Sequence, residues 1–139
     1  MISKASAEWT GGFKDGKGTM TPAHAAPIGF TAGSRFEGQP ASNPEEVVGA
    51  ALAGCFSMAL TVGLERAGHK PQSVKTSADV TLEKGDAGFA ITGIALTTVA
   101  SVPGLDAAQF QTIAEETKKG CPVSKALAGT TITLTASLA

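Results

Sequence analysis

From Ser73 to Leu82 the chain alternates, with Val74, Thr76, Ala78, Val80 and Leu82 on one side and Lys75, Ser77, Asp79 and Thr81 on the other. A period of two predicts a strand with one covered face. Glu83-Lys84-Gly85-Asp86-Ala87-Gly88 reads as the following turn, and Phe89 to Val102 as the returning strand, ended by Pro103-Gly104. The period then lengthens. Asp106 caps a predicted helix that runs through Phe110, Ile113 and Ala114 to Lys118-Lys119, where Gly120 stops it. Cys121-Pro122 opens a shorter helix to Leu127, and Thr130 to Leu138 alternates as a last strand.

The first forty positions read as strands and turns. Ser6 to Thr10 and Thr19-Met20-Thr21 flank the glycine-rich segment Gly11 to Gly18, a hairpin signal, and Ile28-Gly29-Phe30-Thr31 is a third short strand. Gly33-Ser34-Arg35-Phe36-Glu37-Gly38-Gln39-Pro40 holds too much glycine and proline for an element interior and reads as a loop. A long helix then starts at Asn43-Pro44, since asparagine caps well and proline suits the first helical position. Glu45 and Glu46 complement its positive end, and Gly68 followed by Pro71 stops it.

Within that helix, positions 47–64 carry no charge. Their length touches the roughly 18 residues at which a membrane span is considered. Gly49, Gly54, Ser57, Thr61 and Gly63 dilute the run, so a helix buried on all sides in a soluble assembly is the better reading. Gly49 with Ala53, and Ala50 with Gly54, set small residues four apart, a spacing that permits close helix approach. Such a helix needs more cover than one small chain provides, which points to a homodimer. The pattern as a whole predicts one α+β domain over 1–139, without repeats or linkers.

Charge removes several classes of function. Eleven basic and 12 acidic residues give a net charge of −1. With no basic stripe or polybasic cluster, neither nucleic acid nor anionic lipid is an expected partner. Six phenylalanines, one tryptophan and no tyrosine leave alanine and glycine to build a core by close backbone approach. Positions 1–9 lack the apolar run of a secretory signal, so a cytoplasmic setting is expected. There, reducing conditions disfavour a permanent disulfide.

Two cysteines remain, and they either pair, act together or are incidental; their settings favour joint action. Cys55 lies mid-helix, where a free cysteine is most often a small buried hydrophobe. Cys121 sits at a helix start, where unpaired N–H groups favour a thiolate, so local physics makes it the more ionised thiol. Arg35 could bring its guanidinium over the long helix. Glu45 precedes Cys55 by close to three turns, roughly 15 Å along a straight helix, so the two cannot touch within it. His24 and His69 are isolated, which argues against a metal site, and no dinucleotide motif or nucleophile elbow is present.

Asn43-Pro44-Glu45-Glu46, Ala53-Gly54-Cys55-Phe56-Ser57-Met58, Asp86-Ala87-Gly88-Phe89 and Gly120-Cys121-Pro122-Val123-Ser124 together resemble the OsmC proteins of the OsmC/Ohr superfamily. Trp9, Gly16-Lys17-Gly18 and Arg35-Phe36-Glu37-Gly38 extend the match across most of the chain. The resemblance implies an OsmC-like fold, with antiparallel sheets around a long central helix in an intertwined dimer. It also implies a thiol-dependent peroxidase without a cofactor, acting on organic hydroperoxides and less well on hydrogen peroxide. Cys55 would be the peroxidatic thiol, Cys121 the resolving thiol, and Arg35 with Glu45 the pair that activates Cys55. An external dithiol, of the kind a lipoyl-bearing protein carries, would reopen the disulfide. Phe36, Phe56 and Met58 are expected apolar substrate walls. A non-catalytic stress-response or redox-sensing protein with the same groove is the alternative from another class.

Overall fold

The computed structural model describes every residue from Met1 to Ala139. By internal contacts the chain divides into two compact units, residues 1–47 and residues 48–139.

The first unit holds a three-stranded antiparallel sheet, β1 (Ala5–Thr10), β2 (Lys17–Pro22) and β3 (Ile28–Phe30), in that order. The glycine-rich segment makes the predicted hairpin turn, with Gly11 at φ +89° and the Gly16 N–H donating to the Gly12 carbonyl at 2.8 Å. Trp9 packs on Phe30, ring centroids 5.5 Å apart. The segment expected to be a loop instead contains a five-residue helix, α1 (Ala32–Phe36). What glycine content disfavours, capping restores. The Thr31 side chain accepts from the Ser34 N–H and the Ser34 side chain accepts from the Thr31 N–H, both at 2.9 Å, a reciprocal box that closes the first turn.

Helix α2 (Pro44–Arg66) starts as expected, with the Glu46 N–H donating to the Asn43 side-chain oxygen at 2.9 Å. Gly68, at φ +86°, lies just past its end. Within the second unit Leu52, Phe56, Leu60 and Leu64 recur every fourth residue on one face and are wholly buried. Each contributes about 1.5–3 kcal/mol of burial relative to exposure. Gly49 lies against β4 (Ser73–Gly85), where an added Cβ would meet the Val80 side chain at 3.1 Å. Its small size therefore serves helix–sheet approach, whereas Gly54 has nothing within 4 Å. Burial on every side is expected of an assembly; in the single chain Ala50, Ala51, Gly54, Met58 and Val62 leave an exposed apolar stripe. By length and mean hydropathy (2.0) α2 could cross a membrane, yet its leucine face packs as a core helix does.

The sheet of this unit is ordered β4, β5 (Gly88–Ser101) and β6 (Thr131–Leu138). Strand pairing runs on through Glu83, Lys84 and Gly85, so the predicted six-residue turn shrinks to Asp86-Ala87. A register shift at Thr81/Leu82 absorbs the mismatch along the hairpin. β6 pairs parallel to β5, so this sheet is mixed rather than wholly antiparallel. A parallel return needs a crossover, and helices α3 (Ala107–Gly120) and α4 (Pro122–Ala126) supply it. Asp106 caps α3 as expected, its carboxylate accepting from the Gln109 N–H at 3.0 Å. A chain of hydroxyls fixes α2 on the sheet: Ser57 donates to Thr76 at 2.8 Å, and Thr76 and Thr98 share a bond at 2.9 Å.

Candidate active site

Each unit holds one pair of candidate side chains. In residues 1–47, α1 presents Arg35 and the first turn of α2 presents Glu45. Glu45 Oε1 accepts from Arg35 Nη2 at 2.6 Å and from Nε at 3.1 Å, and Oε2 accepts from Nε at 3.1 Å. This fork fixes the plane and direction of the guanidinium. Glu45 is only 7% exposed, so its charge is held largely away from water and needs that partner. Glu46 does not compete for Arg35, since its carboxylate accepts from the Ser42 hydroxyl at 2.9 Å. The guanidinium also lies 5.1 Å from the Phe36 ring centre. Trp9, Phe13, Phe30 and Phe36 line a cavity of about 310 Å³ beside it.

In residues 48–139, Cys55 on α2 meets Cys121 at the junction of α3 and α4. Their sulfurs are 2.6 Å apart and share a hydrogen bond, with both thiols free. Cys121 closes one helix and opens the next: its N–H donates to the Thr117 carbonyl at 2.9 Å, and its carbonyl accepts from the Lys125 N–H at 3.0 Å. Pro122 holds it there, because the residue before proline is forced into extended backbone (ψ 128°) as proline begins α4. Access separates the thiols. Cys121 has 0% exposure, whereas Cys55 is half-buried.

Ionisation separates them in the opposite sense. Burial pushes the Cys55 thiol up, and its hydrogen bond with Cys121 adds to the rise. Burial acts against the Cys121 thiolate too, but is outweighed by the hydrogen bond with Cys55 and by the nearby polar groups of Ser124 and Val123, which favour the charged sulfur and hold Cys121 low. A cavity of about 580 Å³, walled by Ala59, Val62, Gly63 and Ile113, extends between α2 and α3 to Cys121.

Of the expected apolar walls, Phe36 lies beside Arg35 and Met58 is 70% exposed on the outer stripe of α2. Phe56 is a core residue instead. It has 0% exposure among the leucines of α2, because the four-residue spacing that buries Leu52 and Leu60 buries Phe56 with them. Sequence reasoning assigned nothing to Ser124, although it closes the motif that contains Cys121. Position three after a cap residue was the available signal.

Fold and adjacent thiols together define a cysteine-based redox protein. The chain matches the family described as OsmC-like protein over residues 36–136 and belongs to that family. It is 51% identical over 128 residues to Peroxiredoxin OsmC of Escherichia coli, covering 89% of this chain and 88% of that protein. Among solved structures it is similar to the organic hydroperoxide resistance protein OhrB of Bacillus subtilis, with a TM-score of 0.71, 25% identity and coverage of 100% and 98%. An OsmC-like protein from Mycoplasma pneumoniae shares the fold at a TM-score of 0.79 and 14% identity, covering 99% of this chain and 97% of its own.

Proposed function

We propose that the protein reduces organic hydroperoxides to alcohols with Cys55 as the attacking thiol and Cys121 as its resolving partner. That it is a cysteine-based peroxidase follows from its family and from 51% identity to a peroxiredoxin. The observation that carries the roles is the sulfur pair itself: two free thiols in contact, one on a partly exposed residue and one on a fully buried one.

The thiolate of Cys55 attacks the distal peroxide oxygen, the O–O bond breaks, and the alkoxide takes a proton to leave as alcohol. Cys55 is thereby oxidised to a sulfenic acid. The Cys121 thiolate attacks that sulfur, the S–O bond breaks, and hydroxide leaves as water once protonated. The product is the Cys55–Cys121 disulfide, which an external dithiol reduces. Since burial and Cys121 both raise the Cys55 pKa, the reaction needs a cation to favour its thiolate. In this reading Arg35 is that cation and Glu45 orients it. The fork between them supports the assignment.

A second copy of the chain covers the stripe of Ala50, Ala51, Gly54, Met58 and Val62. Its support is an apolar face along a helix that carries no charge from 47 to 64. Phe36 and Met58 are kept as apolar contacts for the alkyl group, and the reducing cytoplasm suits a cycle that ends in free thiols.

Steady-state turnover of cumene hydroperoxide with a dithiol reductant tests the function. The wild-type chain is expected to turn over and Cys55→Ser to be inactive while remaining folded. Full activity in Cys55→Ser would remove the mechanism.

A further inference from the structure

Ser124 belongs to the Cys121 motif, yet neither thiol role uses it. It is the third residue after the cap of α4 and only 6% exposed, and its hydroxyl oxygen is buried without a hydrogen-bond partner of ordinary geometry. Native chains seldom leave a buried hydroxyl so, and those that do call for an explanation.

The start of α1 shows what this spacing normally does. There Thr31 caps, Ser34 follows at the third position, and each side chain accepts from the other's N–H. At α4 the corresponding residues are Cys121 and Ser124, and no side-chain cap bond forms. The cap sulfur is turned to Cys55 instead. A neutral thiol accepts weakly, whereas a thiolate accepts strongly. Cap and third-position residues share the first turn, so the unpartnered hydroxyl lies on the same turn as a sulfur that has yet to charge, and it is among the groups that act on that sulfur.

We propose that Ser124 is a positioning residue for Cys121, its hydroxyl donating to that sulfur whenever the sulfur carries negative charge. This rests on the thiol-peroxidase reading above and adds to it a residue for the disulfide steps. During resolution, Ser124 favours the thiolate that attacks the Cys55 sulfenic acid. During reduction the order reverses. An external thiolate attacks the sulfur of the partly exposed Cys55, the Cys55–Cys121 bond breaks, and Cys121 leaves as a thiolate held by Ser124. The second thiol of the reductant then attacks the mixed disulfide on Cys55 and frees it, leaving the reductant as its own disulfide. Both the N–H and the hydroxyl of Ser124 act to lower the Cys121 pKa, in agreement with that role.

Four chains decide the matter: Ser124, Ser124→Ala, and the isosteric pair Ser124→Thr and Ser124→Val, which differ from each other only in the hydroxyl. In a Cys55→Ser background, the ultraviolet absorbance of the Cys121 thiolate is titrated. With both cysteines present, disulfide formation after one equivalent of hydroperoxide is timed by mass spectrometry. Ala and Val are expected to move the titration to higher pH and to slow the disulfide about tenfold, with Thr close to Ser. The deficit should be largest below the Cys121 midpoint and vanish above it. Unchanged titration in Ala and Val, or Thr behaving as Val, overturns the proposal. So does loss of folding in Ala and Val with Thr folded, which would make the hydroxyl structural. A chain inert to hydroperoxides would sink the peroxidase reading alone, because the titration needs no peroxide.

Discussion

The charged pair and the thiol pair are built in different ways. Arg35 and Glu45 are 10 residues apart and meet because a short capped helix and the next helix start follow one another in the chain. Cys55 and Cys121 are 66 apart and meet only after a hairpin and a crossover helix have returned the chain. The first pair is local, forked and held in one geometry. The second is two free sulfurs in contact, and the proposed cycle requires them to change partners. In the proposed cycle these are complementary requirements: the fixed cation favours a charge, and the sulfur pair carries electrons.

Removing Cys121, the proposed resolving sulfur, should have the largest effect on this contrast. Cys121→Ser is expected to complete one peroxide reduction and then lose nearly all dithiol-driven turnover. Mass spectrometry should find Cys55 as sulfinic and sulfonic acids. Sustained turnover without overoxidation would mean that the two sulfurs do not act together.

Next in size is Arg35→Met, which keeps length and loses charge. A charge-assisted hydrogen bond to a thiolate is worth about 1.5–3 kcal/mol, so peroxide reduction at neutral pH should fall roughly 10- to 100-fold. The sign of the pH effect follows from Cys55. Its pKa is already raised, and removing a cation raises it further, so the ascending limb of the rate profile must move to higher pH. A slower variant with an unmoved limb would detach Arg35 from Cys55.

The smallest expected effect concerns the frame of the charged pair. Thr31→Ala opens the capping box of α1 at a cost of about 1 kcal/mol, read by urea unfolding. Dithiol-driven turnover should fall less than in Arg35→Met, because the Glu45 fork still holds the guanidinium. A larger loss of activity than of stability would show that α1, rather than Glu45, sets the direction of Arg35.

Local rules were legible wherever local forces decide. Asn43-Pro44, Asp106 and Gly68 punctuate their helices as written, and Val74 to Leu82 alternate as written, because caps and pleats act within a few residues. The α1 helix was missed because Thr31 and Ser34 form a reciprocal cap that composition conceals. The turn after β4 was drawn too long, since cross-strand pairing carried Glu83, Lys84 and Gly85 into the ladder. Phe56 was assigned to a ligand wall because a helix without charge shows no inner and outer face in sequence.

By itself the sequence determined the long uncharged helix, the order of strands and helices apart from α1, and one cysteine within a helix and one at a helix start. A family likeness extended this to Arg35 and Glu45. Only the tertiary structure decided that β6 returns parallel to β5, which face of α2 is buried, and that Cys55 and Cys121 stand 2.6 Å apart. The physical reason is one of range. Caps, turns and alternation are settled by neighbours along the chain. Contact between sulfurs 66 residues apart depends on how whole elements bury their apolar faces.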